Sequence, residues 1–268
     1  MAAAIEGYAS AASAAPGDTV DFHVRADAAS SHFTMEIFRR GVTDVPVKTA
    51  EGDAFVPAAQ QDDANLAIDG CDWPAVESCR TAIVDDWQSG YYVAKLSTNG
   101  NTAWIPFVVR SAAPGTNASI LVKLSDTTSQ AYTAWGGRGF YTNPFSSHIS
   151  FDRPYDDLNL YEVYQLPFVR WAERNGVAMD FCSSLDLHTD PQLLANYRLF
   201  LSIGHDEYWS LEMRDQVEAF IAGGGNVCFF SANTCFWQVR FDLNGGRRIM
   251  ICYKAVSYTH LTLPTILR

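Results

Sequence analysis

The sequence predicts a two-part α+β chain, an antiparallel β-sandwich followed by an α/β unit built on a mainly parallel sheet. Three observations carry that expectation. Short alternating runs separated by turn residues fill residues 1–110. A Ser-Ala-Ala-Pro-Gly-Thr-Asn segment at 111–117 has the composition of a linker. Across 118–255, strand-like runs alternate with helix-like ones.

In the first part, residues 19–24 alternate apolar and polar side chains, the period of a half-buried strand. Residues 35–40 form a second strand closed by Gly41. The runs at 90–96 and 103–109 flank Thr98-Asn99-Gly100-Asn101, and Asn-Gly between apolar runs signals a hairpin because both residues tolerate positive φ. With no helical stretch read among them, these strands predict an immunoglobulin-like sandwich.

In the second part, residues 119–124 read as a buried strand and 160–176 as an amphipathic helix ended by Gly176. A strand at 177–181, a short helix at 191–196 and a strand at 198–203 come next. The helix at 211–222 is stopped by Gly223-Gly224-Gly225, and 226–230 is the following strand. Parallel strands need such helical crossovers, so an amidotransferase- or flavodoxin-like sheet is expected, incomplete at its C-terminal side. Residues 256–268 show no caps, no period and no charge before Arg268. They read as a foreign tail, of the kind that sequencing-adapter read-through leaves at the broken end of a metagenomic gene, and His260 is kept out of any site.

Thirty acidic residues against nineteen basic ones give a net charge of −11. An acidic surface repels phosphate, so neither nucleic acid nor an anionic membrane is expected as a partner. No apolar run reaches the length of a membrane span, and the N-terminus lacks the features of a signal peptide, which predicts a cytoplasmic protein. The cysteines Cys71, Cys79, Cys182, Cys228, Cys235 and Cys252 form no Cys-x-x-Cys pair, so no zinc site is signalled. They are expected as free thiols, Cys71 and Cys79 pairing only in an oxidising compartment.

In an open parallel sheet, ligands bind beyond the carboxyl ends of the strands. Two loops occupy that position: Gly204 to Ser210, after the strand ending at Ile203, and Ser231 to Trp237, after the strand ending at Phe230. The first packs His205, Asp206 and Glu207 before a helix that Ser210 can cap. An acidic pair before a helix is also what compensation of the helix dipole would select. A Ser or Cys nucleophile between glycines, as serine hydrolases and thiol amidotransferases carry at this turn, is missing. Imidazole and carboxylate suit metal ligation or acid–base chemistry instead. Asn233 in the second loop can orient a carbonyl or a water, or bond only its own turn. The Gly-rich stretch at 135–139 is too loose for a phosphate loop and reads as a flexible connection.

At these loops a resemblance enters. The runs at 130–137, 150–155, 204–210, 225–227 and 233–240 together resemble the large, or beta, subunit of N,N-dimethylformamidase over roughly residues 5–255. The resemblance implies hydrolysis of a small amide at a mononuclear iron, expected ferric, held by two tyrosines and a glutamate with a histidine and an asparagine beside it. It assigns Glu207 to the glutamate, and His205 and Asn233 to the neighbouring pair. Tyr132 is expected as one tyrosine ligand and Tyr92 as the other, with Tyr91 its rival. Hard phenolate and carboxylate oxygens fit ferric iron better than zinc. The resemblance further implies a small partner subunit, a homo-oligomer, and a catalytic carboxylate beyond the region present here. A competing expectation is an inactive relative whose sandwich binds carbohydrate or protein.

Overall fold

The computed structural model describes residues 4–254, so the tail at 256–268 and His260 lie outside the described residues. The fold is mixed α+β, with mostly antiparallel pairing in the first part, where only the short β2–β9 pair among the described strands is parallel, and a parallel sheet beside a mixed one in the second. The strands of the first part are β1 (Ile5–Ala9), β2 (Ser13–Ala14), β3 (Thr19–Val20), β4 (Phe22–Ala26), β5 (His32–Arg40) and β6 (Asp44–Asp53). After helix α1 (Asp63–Asp69) come β7 (Thr81–Ala82), β8 (Gly90–Thr98) and β9 (Asn101–Val109). A five-stranded sheet runs β2-β9-β8-β5-β6, and β1 pairs antiparallel with β4. Inward side chains from both sheets, among them Ile5, Phe22, Val24, Met35, Ile37, Leu96 and Phe107, share one core. The β8–β9 turn has Asn99 at φ 43° and Gly100 at φ 79°, the backbone that Asn-Gly predicts.

Two features around α1 depart from expectation. Helix α1 interrupts the run of strands, begun by the Asp62 carboxylate accepting from the Asn65 amide. The stretch at 135–137 is an anchored turn rather than a flexible connection. The Trp135 indole donates to Glu6 at 2.7 Å, and the Arg25 guanidinium lies against the faces of Trp73 and Trp135 while bonding Asp63 at 2.6 Å. Gly136 has φ 66°, and a Cβ there would sit 2.1 Å from the Asp63 carbonyl oxygen, so only glycine lets the turn lie on α1.

The second part contains β10 (Ile120–Lys123), α2 (Asp126–Tyr132), β11 (His148–Ser150), α3 (Asn159–Tyr164), α4 (Leu166–Arg174), β12 (Asp180–Cys182) and α5 (Ser184–Thr189). Then follow β13 (Leu199–His205), β14 (Tyr208–Ser210), α6 (Leu211–Ala222), β15 (Asn226–Ala232), β16 (Trp237–Asp242) and β17 (Ile249–Ile251). The parallel sheet runs β12-β10-β13-β15, and a mixed sheet runs β11-β17-β16-β14. Alternate residues of the parallel strands face opposite layers. Val122, Leu201 and Ile203 pack on Leu166, Val169 and Ala172 of α4 and on Tyr91 and Val93 of β8. Leu121 and Phe200 pack on Leu187 of α5 and Met213 and Val217 of α6.

The helix expected over 160–176 is two helices, broken at Gln165. Pro167 lacks an amide proton and is accommodated only in the first turn of a helix, so a new helix begins beside it. The Gln165 side chain is buried and accepts from the Ser125 amide at 3.1 Å, which ties the break to the start of α2. Helix α6 spans the expected residues and is capped as expected, the Ser210 hydroxyl accepting from the Met213 amide at 3.2 Å.

Candidate functional site

Strands β13 and β15 are parallel neighbours in register from Leu199↔Asn226 to His205↔Ala232, so their two C-terminal loops open on one edge of the sheet. Beyond His205 the chain leaves the parallel sheet and enters β14 of the mixed sheet within two residues. The bend needs Gly204, at φ 79°, where a Cβ would meet the Gln165 side chain at 2.8 Å. The two loops are stitched together by backbone bonds: Asp206 N–H to the Ala232 carbonyl, Cys235 N–H to Asp206, and Trp237 N–H to Glu207.

The adjacent carboxylates at this bend have different fates. Asp206 turns inward and pairs with Lys123 at 2.6 Å, both side chains wholly buried. Ser202 donates to its other oxygen at 2.6 Å, and Ser202, Ser231 and Thr234 continue the polar chain under the second loop. Glu207 turns the other way. Its amide donates to the Thr128 hydroxyl at 2.9 Å, and its carboxylate, 3% exposed as a residue, collects three neighbours.

Tyr132 donates to Glu207 Oε2 at 2.9 Å, and Tyr141 donates to both carboxylate oxygens at 3.0 Å. His205 Nε2 lies 3.0 Å from the Tyr132 hydroxyl and 3.2 Å from Glu207 Oε2. Tyr208 completes the chain by donating to the Tyr141 hydroxyl at 3.0 Å. The Tyr132 and Tyr141 rings pack with centroids 4.4 Å apart and leave one side open to solvent. Burial, with the neighbouring carboxylate, raises the Tyr132 and Tyr141 phenols above their usual range. Both therefore keep their protons at neutral pH in the metal-free protein and donate to a single acceptor. Lys254 rests on the Tyr141 face, 3.4 Å from the ring centroid, and burial pulls its ammonium down to about 8.

Tyr132 sits at the last position of α2, and Arg153 holds that end in place. Its guanidinium is completely buried and donates to the carbonyls of Gln130, Thr133 and Arg138 and to the Gln130 side chain, at 2.7–3.1 Å. The buried guanidinium thus satisfies the Gln130 and Thr133 carbonyls at the end of the short helix, and ties to them the Arg138 carbonyl beyond the 135–137 turn.

Three of the residues named from the sequence, Tyr132, His205 and Glu207, are brought together. Asn233 is exposed on the adjoining turn at φ 53°, with no side-chain hydrogen bond to the cluster among the described residues. Tyr92, expected beside Tyr132, is not brought to it in this structure. Its ring stacks on Trp87 at 5.3 Å in the core of the first part, and its hydroxyl donates to the Gln88 carbonyl at 2.7 Å. Tyr91 points to the opposite face, as strand parity requires, and stacks on Tyr161 at 5.1 Å. The second phenol comes from Tyr141, which the sequence reading passes over. The available signal was its position just past the 135–139 glycine stretch, a turn that folds Tyr141 back beside Tyr132. Lys254 carried no signal of its own.

The donor set suits a hard cation. Two phenol oxygens and a carboxylate converge, all three able to become anionic oxygen ligands, with an imidazole beside them. No group of three or more His, Cys, Asp and Glu residues placed to hold a metal occurs among the described residues. Any metal here would therefore depend on the phenols. No helix of the described residues is long and apolar enough to cross a membrane.

A family model described as "N,N-dimethylformamidase beta subunit-like, C-terminal" matches residues 34–264, a span that runs into the segment set apart on composition. The chain is 28% identical over 108 residues to the N,N-dimethylformamidase beta subunits of Alcaligenes sp and of Paracoccus aminophilus, covering 38% of this chain in each case. The matched segment spans 14% of the length of those relatives. A crystal structure of an uncharacterized protein from Bacillus anthracis str. Ames shares 13% identity at a TM-score of 0.26, covering 39% of this chain and 84% of that one.

Proposed function

We propose, from the premise that the chain belongs to the N,N-dimethylformamidase beta subunit-like family, that it is a metal-dependent hydrolase of a small amide, and that Tyr132, Tyr141 and Glu207 hold a mononuclear ferric iron. The observation that carries this reading is the convergence of both phenols on the buried Glu207 carboxylate, beyond the carboxyl ends of β10 and β13. When bound, the metal supplies Lewis acidity toward a carbonyl oxygen and toward water.

The chain's own residues have distinct tasks in this reading. Glu207 is fixed from both sides of its backbone, by Thr128 and by Trp237, so its carboxylate needs little reorganisation. His205 Nε2 lies within hydrogen-bond distance of the Tyr132 oxygen and is the group that holds or passes a proton at the cluster. Asn233, on the turn stitched to Asp206 and Glu207, serves to orient the substrate carbonyl or the attacking water. The Tyr132 and Tyr141 rings form an apolar wall, which fits an amide that has no N–H to recognise.

The strand order β12-β10-β13-β15 supports reading residues 118–255 as a flavodoxin-like α/β domain. The three sheets formed by the described strands of residues 1–110 (the five-stranded sheet, the β1–β4 pair and the β3–β7 pair) are read as an immunoglobulin-like sandwich, joined to the α/β domain by the 111–117 linker. The relatives are named as beta subunits, which supports assembly with another subunit; a smaller partner and a homo-oligomer are the finer part of the proposal. A cytoplasmic location completes the proposal.

The test is iron content by elemental analysis of the purified chain beside three variants. About one iron per chain is expected in the wild type, a loss of most of it in Glu207→Ala and Tyr141→Phe, and no change in Tyr92→Phe. Absence of metal from the wild type after reconstitution with ferric ion would overturn the hydrolase reading and favour a binding module. Loss in Tyr92→Phe with retention in Tyr141→Phe would restore the ligand set expected from sequence.

A further inference from the structure

Lys254 follows β17, the last strand of the described residues, and belongs to none of the ligand positions above. Its ammonium is surrounded by three aromatic rings: 3.4 Å from the Tyr141 centroid, 4.9 Å from Tyr208 and 5.2 Å from Trp237. It also approaches the Phe140 carbonyl at 3.4 Å. Each of those rings comes from a different element: Tyr141 from the loop after the Gly-rich turn, Tyr208 from β14 and Trp237 from β16. One cation therefore gathers the loop and two strands of the mixed sheet around the Glu207 carboxylate.

We propose that Lys254 is a positioning residue for Tyr141, holding its ring in the plane that aims the phenol oxygen at Glu207. This inference rests on the reading of Tyr141 as a site residue. The physical need is plain. Tyr141 is 52% exposed and lies on an irregular segment, so neither burial nor backbone pairing fixes its ring. Its hydroxyl is bonded to Glu207 and Tyr208, and what restrains the plane of the ring besides is contact on its faces. The Tyr132 ring approaches from one direction at 4.4 Å, and the Lys254 ammonium lies over the ring. A cation over an aromatic face is attracted by the ring quadrupole, and the attraction falls when the ring turns its edge to the charge. The contact therefore resists rotation of Tyr141 about its side-chain bonds. Tyr208, held by the same ammonium, donates to the Tyr141 hydroxyl and so sets the oxygen's direction as well as the ring's plane.

The experiment uses the whole chain carrying 3-fluorotyrosine, with the Tyr141 fluorine resonance identified by its disappearance in Tyr141→Phe. Lys254→Met keeps the length and apolar stem but removes the charge, and Lys254→Arg keeps a cation over the rings. In the metal-free protein, Lys254→Met is expected to shift and broaden the Tyr141 resonance, while Lys254→Arg restores a narrow one. A Tyr141 signal in Lys254→Met indistinguishable from wild type overturns the proposal whether or not the protein binds metal. In a second arm, ferric ion is titrated into the same proteins and the phenolate charge-transfer absorption is followed. Lys254→Met is expected to weaken ferric binding roughly tenfold, with Lys254→Arg close to wild type. If wild type binds no ferric ion while the fluorine result stands, the metal reading fails and the positioning role survives. Thermal melting of each variant separates either result from general loss of fold.

Discussion

An Asp206→Ala variant is expected to lose about 3–5 kcal/mol of folding stability, because it strands the Lys123 ammonium in a site closed to water. Both side chains of the pair are fully buried, and among the described residues the ammonium has only Asp206, the Ser184 hydroxyl at 3.3 Å and the Trp209 face as partners. The loss exceeds that of an exposed ion pair, typically about 0.2–1 kcal/mol, because no solvent can replace the missing carboxylate. Lys123→Met in the same background should recover much of it, since an apolar pair of similar volume carries no uncompensated charge. Chemical denaturation of wild type, both single variants and the double variant gives the coupling directly. A single-variant effect under about 1 kcal/mol would show that water reaches the pair and that Asp206 does not anchor the bend. The effect on the site follows from geometry. Asp206 and Glu207 are adjacent and point apart, so releasing Asp206 also releases the carboxylate that the phenols address.

Arg153→Met is the second large effect. It removes four donated bonds and leaves the carbonyls of Gln130, Thr133 and Arg138 without their donors. An unsatisfied buried polar group costs about 1–3 kcal/mol, so an overall loss of about 3–5 kcal/mol is expected after partial relaxation. Burial lowers Arg153 to about 10, so the side chain still carries its charge at neutral pH. Arg153→Lys should recover less than half of the loss, because a single ammonium cannot reach three carbonyls that a planar fork spans. The measurement is again denaturation, with near-ultraviolet circular dichroism reporting the tyrosine environment at the end of α2. Lysine restoring full stability would mean that charge alone is what this position needs.

These two residues show how unevenly the sequence announces its contents. Arg153 lies in one of the runs that carry the family resemblance, yet its role as a buried cap on α2 was not legible. A basic residue in a loop is ordinarily solvated, and only the fold brings three carbonyls around it. The His205-Asp206-Glu207 run was legible as a candidate site because a strand ends there and a helix begins a few residues on. Periodicity locates such an edge without knowledge of the partners. Which of the two carboxylates faces the core was not legible, because that depends on Lys123, eighty-three positions away in the chain. Helix α1 escaped because seven residues are too few to show a helical period. The break at Gln165 was signalled by Pro167, a local and steric cue that the apolar pattern of 160–176 outweighed.

The tyrosines mark the boundary most clearly. By itself, the sequence determined the order of strand and helix, the hairpin at Asn99-Gly100, the capped start of α6 and the sheet edge at which His205 and Glu207 meet. All of these follow from interactions a few residues long: backbone preference, capping and alternation of side chains. It also determined that Tyr91 and Tyr92 face opposite ways, because successive residues of a strand must. Only the tertiary structure decided that both of those rings are absorbed into cores, and that Tyr141 instead joins Tyr132 at Glu207. That decision was made by a glycine turn lying on α1 and by aromatic contacts from β14 and β16. Contacts between segments so far apart are selected by packing of the whole chain, and no window along the sequence contains them.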